Sequence, residues 1–182
     1  MKQYFIVHQS GDSSPGPQFH KINSYHHSQG FPKSSLGFYG GYQYLIEDDG
    51  QLKQFRALED VGAHTKALCS EEYCNLNGVA VCISGEFDYE TGIMPNEKQL
   101  KTLIELWVML KDQGHAIIPL GHRDLKSTKC PGFDARTLME DLHREYLGKR
   151  LKIAEAAIHR VKPPRLNTLI RFIERLKQYL RP

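Results

Sequence analysis

The 182 residues (20.9 kDa) are 40% hydrophobic and 25% charged, enough apolar material to exclude a disordered chain and a length that fits one domain with an appendage. No apolar run approaches the ~20 residues of a membrane span, and the four apolar residues from Tyr4 to Val7 are too few for the apolar stretch of a secretory signal, about 7–15 residues. The net charge of +3 is uneven: residues 144–182 hold eleven Lys/Arg against three Glu, while residues 1–143 hold thirteen against eighteen Asp/Glu. A mildly acidic body joined to a basic tail suggests two parts with different jobs; no nucleic-acid partner is expected.

Residues 4–8 read as a short buried strand, and residues 10–18, with two Gly, two Pro and three Ser, as a loop. Residues 19–30 read as a helix ending at Gly30, with His26 and His27 on its surface, followed by a loop through Pro32 and Ser34. Residues 42–47 and 51–55, separated by Asp48-Asp49-Gly50, predict a β-hairpin. Residues 78–84 (GVAVCIS) are apolar on both faces and predict a central strand.

Asn96 with Gln99 three residues on has the spacing of a capping box. Leu100, Leu103, Ile104, Trp107 and Val108 form one apolar stripe behind it, and Gly114 marks the stop. Residues 115–120 predict another buried strand, 121–132 a loop, and 133–147 a helix. The alternation indicates an α/β fold, a central mixed β-sheet flanked by helices with a C-terminal helical appendage.

In that appendage Leu151, Ala154, Ala157, Ile158 and Val161 keep a helical period until Pro163-Pro164 interrupt it. Leu166, Leu169, Ile170, Ile173, Leu176 and Leu180 continue a second stripe among Arg and Lys. The expected arrangement is a helical hairpin that buries the stripe and shows its charges to water. The sharper expectation is that this basic face also meets anionic wall polymers or lipid head groups.

The four cysteines, Cys69, Cys74, Cys82 and Cys130, are too few for a disulfide scaffold. Cys69 and Cys74 could close a small loop, but unrelated thiols are the simpler expectation. Among nine histidines, His8 ends a strand and His122 follows one, with Cys130 eight residues later in the same loop. Two His and one Cys make a zinc set with a fourth position open to water, as a catalytic zinc requires. From spacing alone, with no short zinc motif such as HExxH, two strand-capping histidines and an ordinary thiol are the simpler expectation.

The wording around these residues says more. Gly121-His122-Arg123-Asp124, continuing to Cys130-Pro131-Gly132, resembles the C-terminal motif of the zinc-dependent N-acetylmuramoyl-L-alanine amidase family, type 2, which includes phage lysozyme-type amidases and peptidoglycan recognition proteins. Further segments follow in family order: Phe5-Ile6-Val7-His8, Tyr25-His26 in the first helix, Gly41-Tyr42-Gln43-Tyr44-Leu45-Ile46, Gly62-Ala63-His64, and Asn77 ahead of the core strand. The resemblance covers about residues 3–145.

It implies His8, His122 and Cys130 as zinc ligands and Tyr42 as the active-site tyrosine. The position two before the third ligand is Lys in some phage enzymes and Thr in many recognition-type amidases; here it is Thr128, an oxyanion donor in this reading. His64 is expected to touch substrate, brace a ligand or make a structural hydrogen bond, and Asp124 to orient the ligand loop or close a turn. Residues 32–39 look inserted and are expected to reshape a wall of the groove.

The implied protein is a monomeric Zn2+ amidase acting on peptidoglycan or muropeptides, with an amidase domain at 1–147 and a basic tail at 148–182. It would stay cytoplasmic until release and then act on the cell wall or its fragments. A non-catalytic peptidoglycan-binding module and a closed structural zinc domain are the competing readings.

Overall fold

The structure is a computed structural model and describes residues 1–69, 71–115, 117–157 and 163–180, with the side chains of residues 157 and 163–169 outside the description. The chain divides into two compact units, Met1–Arg136 and Thr137–Pro182.

In the first unit the elements run β1 (Tyr4–Gln9), α1 (Phe19–Ser28), β2 (Tyr44–Ile46), β3 (Leu52–Gln54), β4 (Leu68–Cys69), β5 (Glu72–Tyr73), α2 (Cys74–Asn77), β6 (Gly78–Ile83), α3 (Glu97–Asp112) and β7 (Ile118–Gly121). A five-stranded sheet has the order β3-β2-β6-β1-β7. β1 pairs in parallel with β6 and β7, β2 pairs in parallel with β6, and β3 closes one edge antiparallel to β2. The sheet is therefore mixed, as the alternating pattern predicts.

The two strands that read as continuous apolar runs lie in its middle. Phe5, Ile6 and Val7 of β1 and every residue of β6 are buried. Strands covered on both faces need no polar alternation. His8, Cys82 and Leu45 are register partners across three neighbouring strands, so the one polar side chain of the three sits on an otherwise apolar face.

Helix α1 has no cap from its own sequence. Instead the buried Glu47 carboxylate accepts from Gln18 N and Phe19 N, both at 2.9 Å, and from Ser84 Oγ at 2.9 Å. A carboxylate at a helix N-terminus meets its unpaired N–H groups and its dipole. Each of those donors left unpaired in the interior would cost about 1–3 kcal/mol. Phe19 and Ile22 then pack with Leu45, Phe55 and Cys82.

Helix α3 forms as its capping box predicts: Asn96 Oδ1 accepts from Gln99 N at 3.1 Å and Gln99 Oε1 accepts from Asn96 N at 3.1 Å. Its buried face is Leu103, Ile104, Leu106, Trp107 and Leu110, with Leu100 and Val108 only half-buried.

Three expectations differ from the structure. Cys69 and Cys74 are joined by a disulfide rather than standing as unrelated thiols. The short antiparallel β4–β5 pair brings them together, and both lie with Ile6 and Leu120 in one buried cluster.

His26 is buried rather than on the surface of α1. Its ring stacks on Phe31 at 4.3 Å and its Nδ1 accepts from Gly41 N at 3.0 Å. A satisfied imidazole tolerates such a position, and burial, with the Arg56 charge adding, lowers its pKa to about 4. His27 is exposed, as expected, against Tyr39.

The last expected helix does not end at residue 147. It is α4, Ala135–Ala157, continuous through Gly148. A single helical glycine costs only about 1 kcal/mol relative to Ala, and open space surrounds the place its Cβ would take.

In the second unit α4 is followed by α5, Pro163–Tyr179. Ala154, Ile173 and Leu176 are buried, Lys177 Nζ meets Glu155 Oε1 at 3.2 Å, and Arg150 lies over the Phe172 ring at 5.6 Å. Ile153, Ile170, Phe172 and Tyr179 are exposed. Ile158 and Val161, and the side chains of Ala157, Leu166 and Leu169, lie outside the description. No described helix is long and apolar enough to cross a membrane.

Candidate metal centre

β1 delivers His8 next to its carboxyl end, and β7 ends at Gly121, directly before His122. Residues that follow the carboxyl ends of neighbouring parallel strands converge in space. The loop after β7 must then fold back to bring Cys130 to the same place. Asp124 Oδ2 accepts from Gly121 N at 2.8 Å and closes a short turn, and Arg123 N donates to Cys130 O at 2.7 Å. Asp124 thus has the turn role. Gly132 completes the loop at φ +87°, where a Cβ would overlap the Phe87 carbonyl oxygen, so no other residue fits without moving the Cys130 segment.

The outcome is a three-residue group. Donor atoms of His8, His122 and Cys130 all lie within 4.8 Å of one another, and among the described residues no fourth His, Cys, Asp or Glu joins them. His8 Nδ1 is 3.9 Å from Cys130 Sγ. Tetrahedral zinc with Zn–N ≈ 2.0–2.1 Å and Zn–S ≈ 2.3 Å needs ligand separations of roughly 3.3–3.8 Å, so the group is slightly wider than a filled site and would close by up to about 1 Å on such an ion. His122 Nε2 is buried without a hydrogen-bond partner, which a metal would correct. Two imidazoles with one thiolate also match zinc by donor type.

The electrostatics agree with ligand chemistry. Burial holds His8 well below its ordinary pKa, with His64 and His122 adding to the effect, and burial also lowers His122. Both rings are neutral near pH 7, the form that binds metal. Burial pushes the Cys130 thiol up, opposed by the Gln9 N–H that reaches its Sγ at 3.3 Å; a dication would reverse that shift.

Around this group Tyr42 is half-buried, its ring centroid 5.1 Å from that of His8. Burial raises its phenol well above 10, and Cys82 and Cys130 add to the rise, so the hydroxyl keeps its proton. His64 Nδ1 lies 3.0 Å from His8 Nε2, a bracing contact. Thr128 is exposed in the loop, its Oγ1 accepting from Cys130 N at 3.3 Å.

A cleft of about 400 Å³ opens beside the group, with His64, His122, Lys66 and Lys126 in its wall. Residues 32–39, expected to reshape its wall, do not line it; the preceding Phe31 does, and Ser34 instead donates to Phe55 O. Asn75 was not legible as a site residue. Its Oδ1 accepts from His64 N and Thr65 N, so it acts on a loop ten residues away, and no local pattern marks such a contact.

Residues 2–133 match the model of the N-acetylmuramoyl-L-alanine amidase family. The chain belongs to that family. Among relatives, an N-acetylmuramoyl-L-alanine amidase of Mus musculus is 34% identical over 96 residues, covering 50% of this chain and 16% of that protein. An endolysin of Klebsiella phage KP32 is 30% identical over 102 residues, covering 55% of this chain and 64% of the endolysin. The chain thus spans less than two thirds of either relative. Among solved structures, the N-acetylmuramoyl-L-alanine amidase LysC from Clostridium intestinale URNW superposes with a TM-score of 0.59 at 24% identity, over 80% of this chain and 85% of that one. That likeness shows that the fold is shared with that protein.

Proposed function

We propose that the protein is a zinc-dependent N-acetylmuramoyl-L-alanine amidase, hydrolysing the amide between N-acetylmuramic acid and L-alanine of peptidoglycan. The convergence of His8, His122 and Cys130 beside a cleft, in a chain that matches the family over residues 2–133, carries this reading. All three donors come from one chain, so the monomer suffices. The enzyme is held in the cytoplasm until release and acts on the wall or its fragments.

His8, His122 and Cys130 would hold a zinc ion, which would supply Lewis acidity to polarise the scissile carbonyl and activate water near neutral pH. The chain's own groups do the rest. Tyr42, protonated and beside His8, donates a hydrogen bond to the attacking water or to the oxygen on which charge develops. Thr128 accepts from Cys130 N through its Oγ1 and keeps a hydroxyl proton to give to that same oxygen. Lys66 and Lys126 in the cleft wall attract the carboxylates of the stem peptide. Incubation with purified peptidoglycan should release new L-alanine amino termini without new sugar reducing ends, and a chelator should abolish the release.

The second unit adds targeting. Lys152, Arg171 and Arg175 are exposed, as are Ile153 and Phe172, a set of basic and apolar side chains suited to anionic wall polymer or lipid. Changing the three cations to Ser should weaken sedimentation with whole walls at low salt while sparing cleavage of small muropeptides. Equal sedimentation at every salt concentration would remove the targeting role.

A further inference from the structure

We propose that His64 is a positioning residue that fixes the His8 proton on Nε2 and so presents the His8 Nδ1 lone pair to the metal. The inference rests on the zinc reading above.

The two His8 nitrogens face different groups: Nδ1 lies 3.9 Å from Cys130 Sγ and Nε2 lies 3.0 Å from His64 Nδ1. A neutral imidazole carries one proton. If Nδ1 is the ligand it is bare, so the proton sits on Nε2 and donates to His64 Nδ1. That assignment places the His64 proton on its own Nε2. In the opposite tautomer His8 Nδ1 would point an N–H at the metal position and could not bind.

The seat of His64 is built more firmly than a cleft wall requires. Asn75 Oδ1 accepts from His64 N at 3.1 Å and from Thr65 N at 3.2 Å, and Asn75 Nδ2 donates to Thr65 O. Gly62 N donates to Asn75 O at 2.8 Å, so the same residue grips the chain on both sides of His64. Asn75 follows Cys74, which is tied to Cys69 by the disulfide and donates through its N–H to Ala67 O at 3.0 Å. Gly62 itself leaves room for the ring: a Cβ there would meet His64 Cδ2 at 2.8 Å and Nε2 at 3.3 Å.

Metal-bound histidines commonly give their second N–H to a carboxylate or carbonyl, and losing that partner costs metal affinity. A neutral imidazole in this place orients His8 without adding negative charge to the centre.

Zinc affinity of the full chain, measured by competition with a chromophoric chelator, tests the proposal. Wild-type uptake tests the zinc reading alone, before any variant is compared. His64→Leu removes the acceptor and should lower zinc affinity about 10–100-fold, whereas His64→Asn, whose amide oxygen can replace Nδ1, should stay within about threefold of wild type. Gly62→Ala, which keeps His64 but displaces its ring, should fall between them. Thermal melts of the metal-free variants identify any that fail to fold; if His64→Leu does, the comparison of His64→Asn with Gly62→Ala decides. Wild-type affinity in a folded His64→Leu protein would overturn the proposal. So would a His64→Asn protein as weak as His64→Leu or Gly62→Ala.

Discussion

Cys130→Ala should leave a folded protein that retains neither zinc nor amidase activity. Cys130 supplies the only thiolate of the three-residue group, and its sulfur sits 3.9 Å from His8 Nδ1. Structural zinc sites with four ligands bind with about 10–16 kcal/mol, which puts one ligand at roughly 3 kcal/mol and its loss at more than a hundredfold in affinity. The fold has little stake in the same side chain. Cys130 is half-buried, belongs to neither of the buried clusters described above, and its sulfur bonds the backbone only at Gln9, accepting from its N–H and donating weakly to its carbonyl among the described residues. Metal analysis after desalting, beside a thermal melt, separates the two effects. Equal zinc in mutant and wild type would remove Cys130 from the ligand set.

Tyr42→Phe should lower kcat by about 10²–10³, the usual cost of one donor to a developing oxyanion, with zinc content unchanged. The ring packs with Leu45, Phe55 and Cys82, and Phe keeps that packing. What Phe lacks is the hydroxyl, which lies close enough to Cys82 and Cys130 for both to shift it. Wild-type turnover in the Phe variant would return Tyr42 to a packing role.

What could be read along the chain is what local chemistry decides. The box between Asn96 and Gln99 spans three residues, and it starts α3 where the spacing puts it. β1 and β6 are legible because strands buried on both faces carry unbroken apolar runs. The convergence of His8 with Cys130, 122 residues apart, became legible through ordered motifs rather than through spacing.

Other features depend on partners that no local pattern names. His26 turns inward because Phe31 and the Gly41 N–H receive it. The Cys69–Cys74 bond depends on the pairing of β4 with β5. Glu47 caps a helix that begins 28 residues before it, and the bond between His64 and His8 crosses 56 residues. Gly148 shows the converse: a residue that commonly ends helices sits inside one, since a single unfavourable propensity is small beside the packing of a 23-residue helix.

Mass analysis of a defined N-acetylmuramoyl peptide after incubation with zinc-loaded protein is the most direct test of the amidase reading. The account predicts two products, a free peptide beginning with L-alanine and an intact N-acetylmuramic acid, whose masses together exceed the substrate by one water, and neither should form after chelation. Fragments cut within the peptide stem, or a substrate retained uncut on zinc-loaded protein, would contradict it.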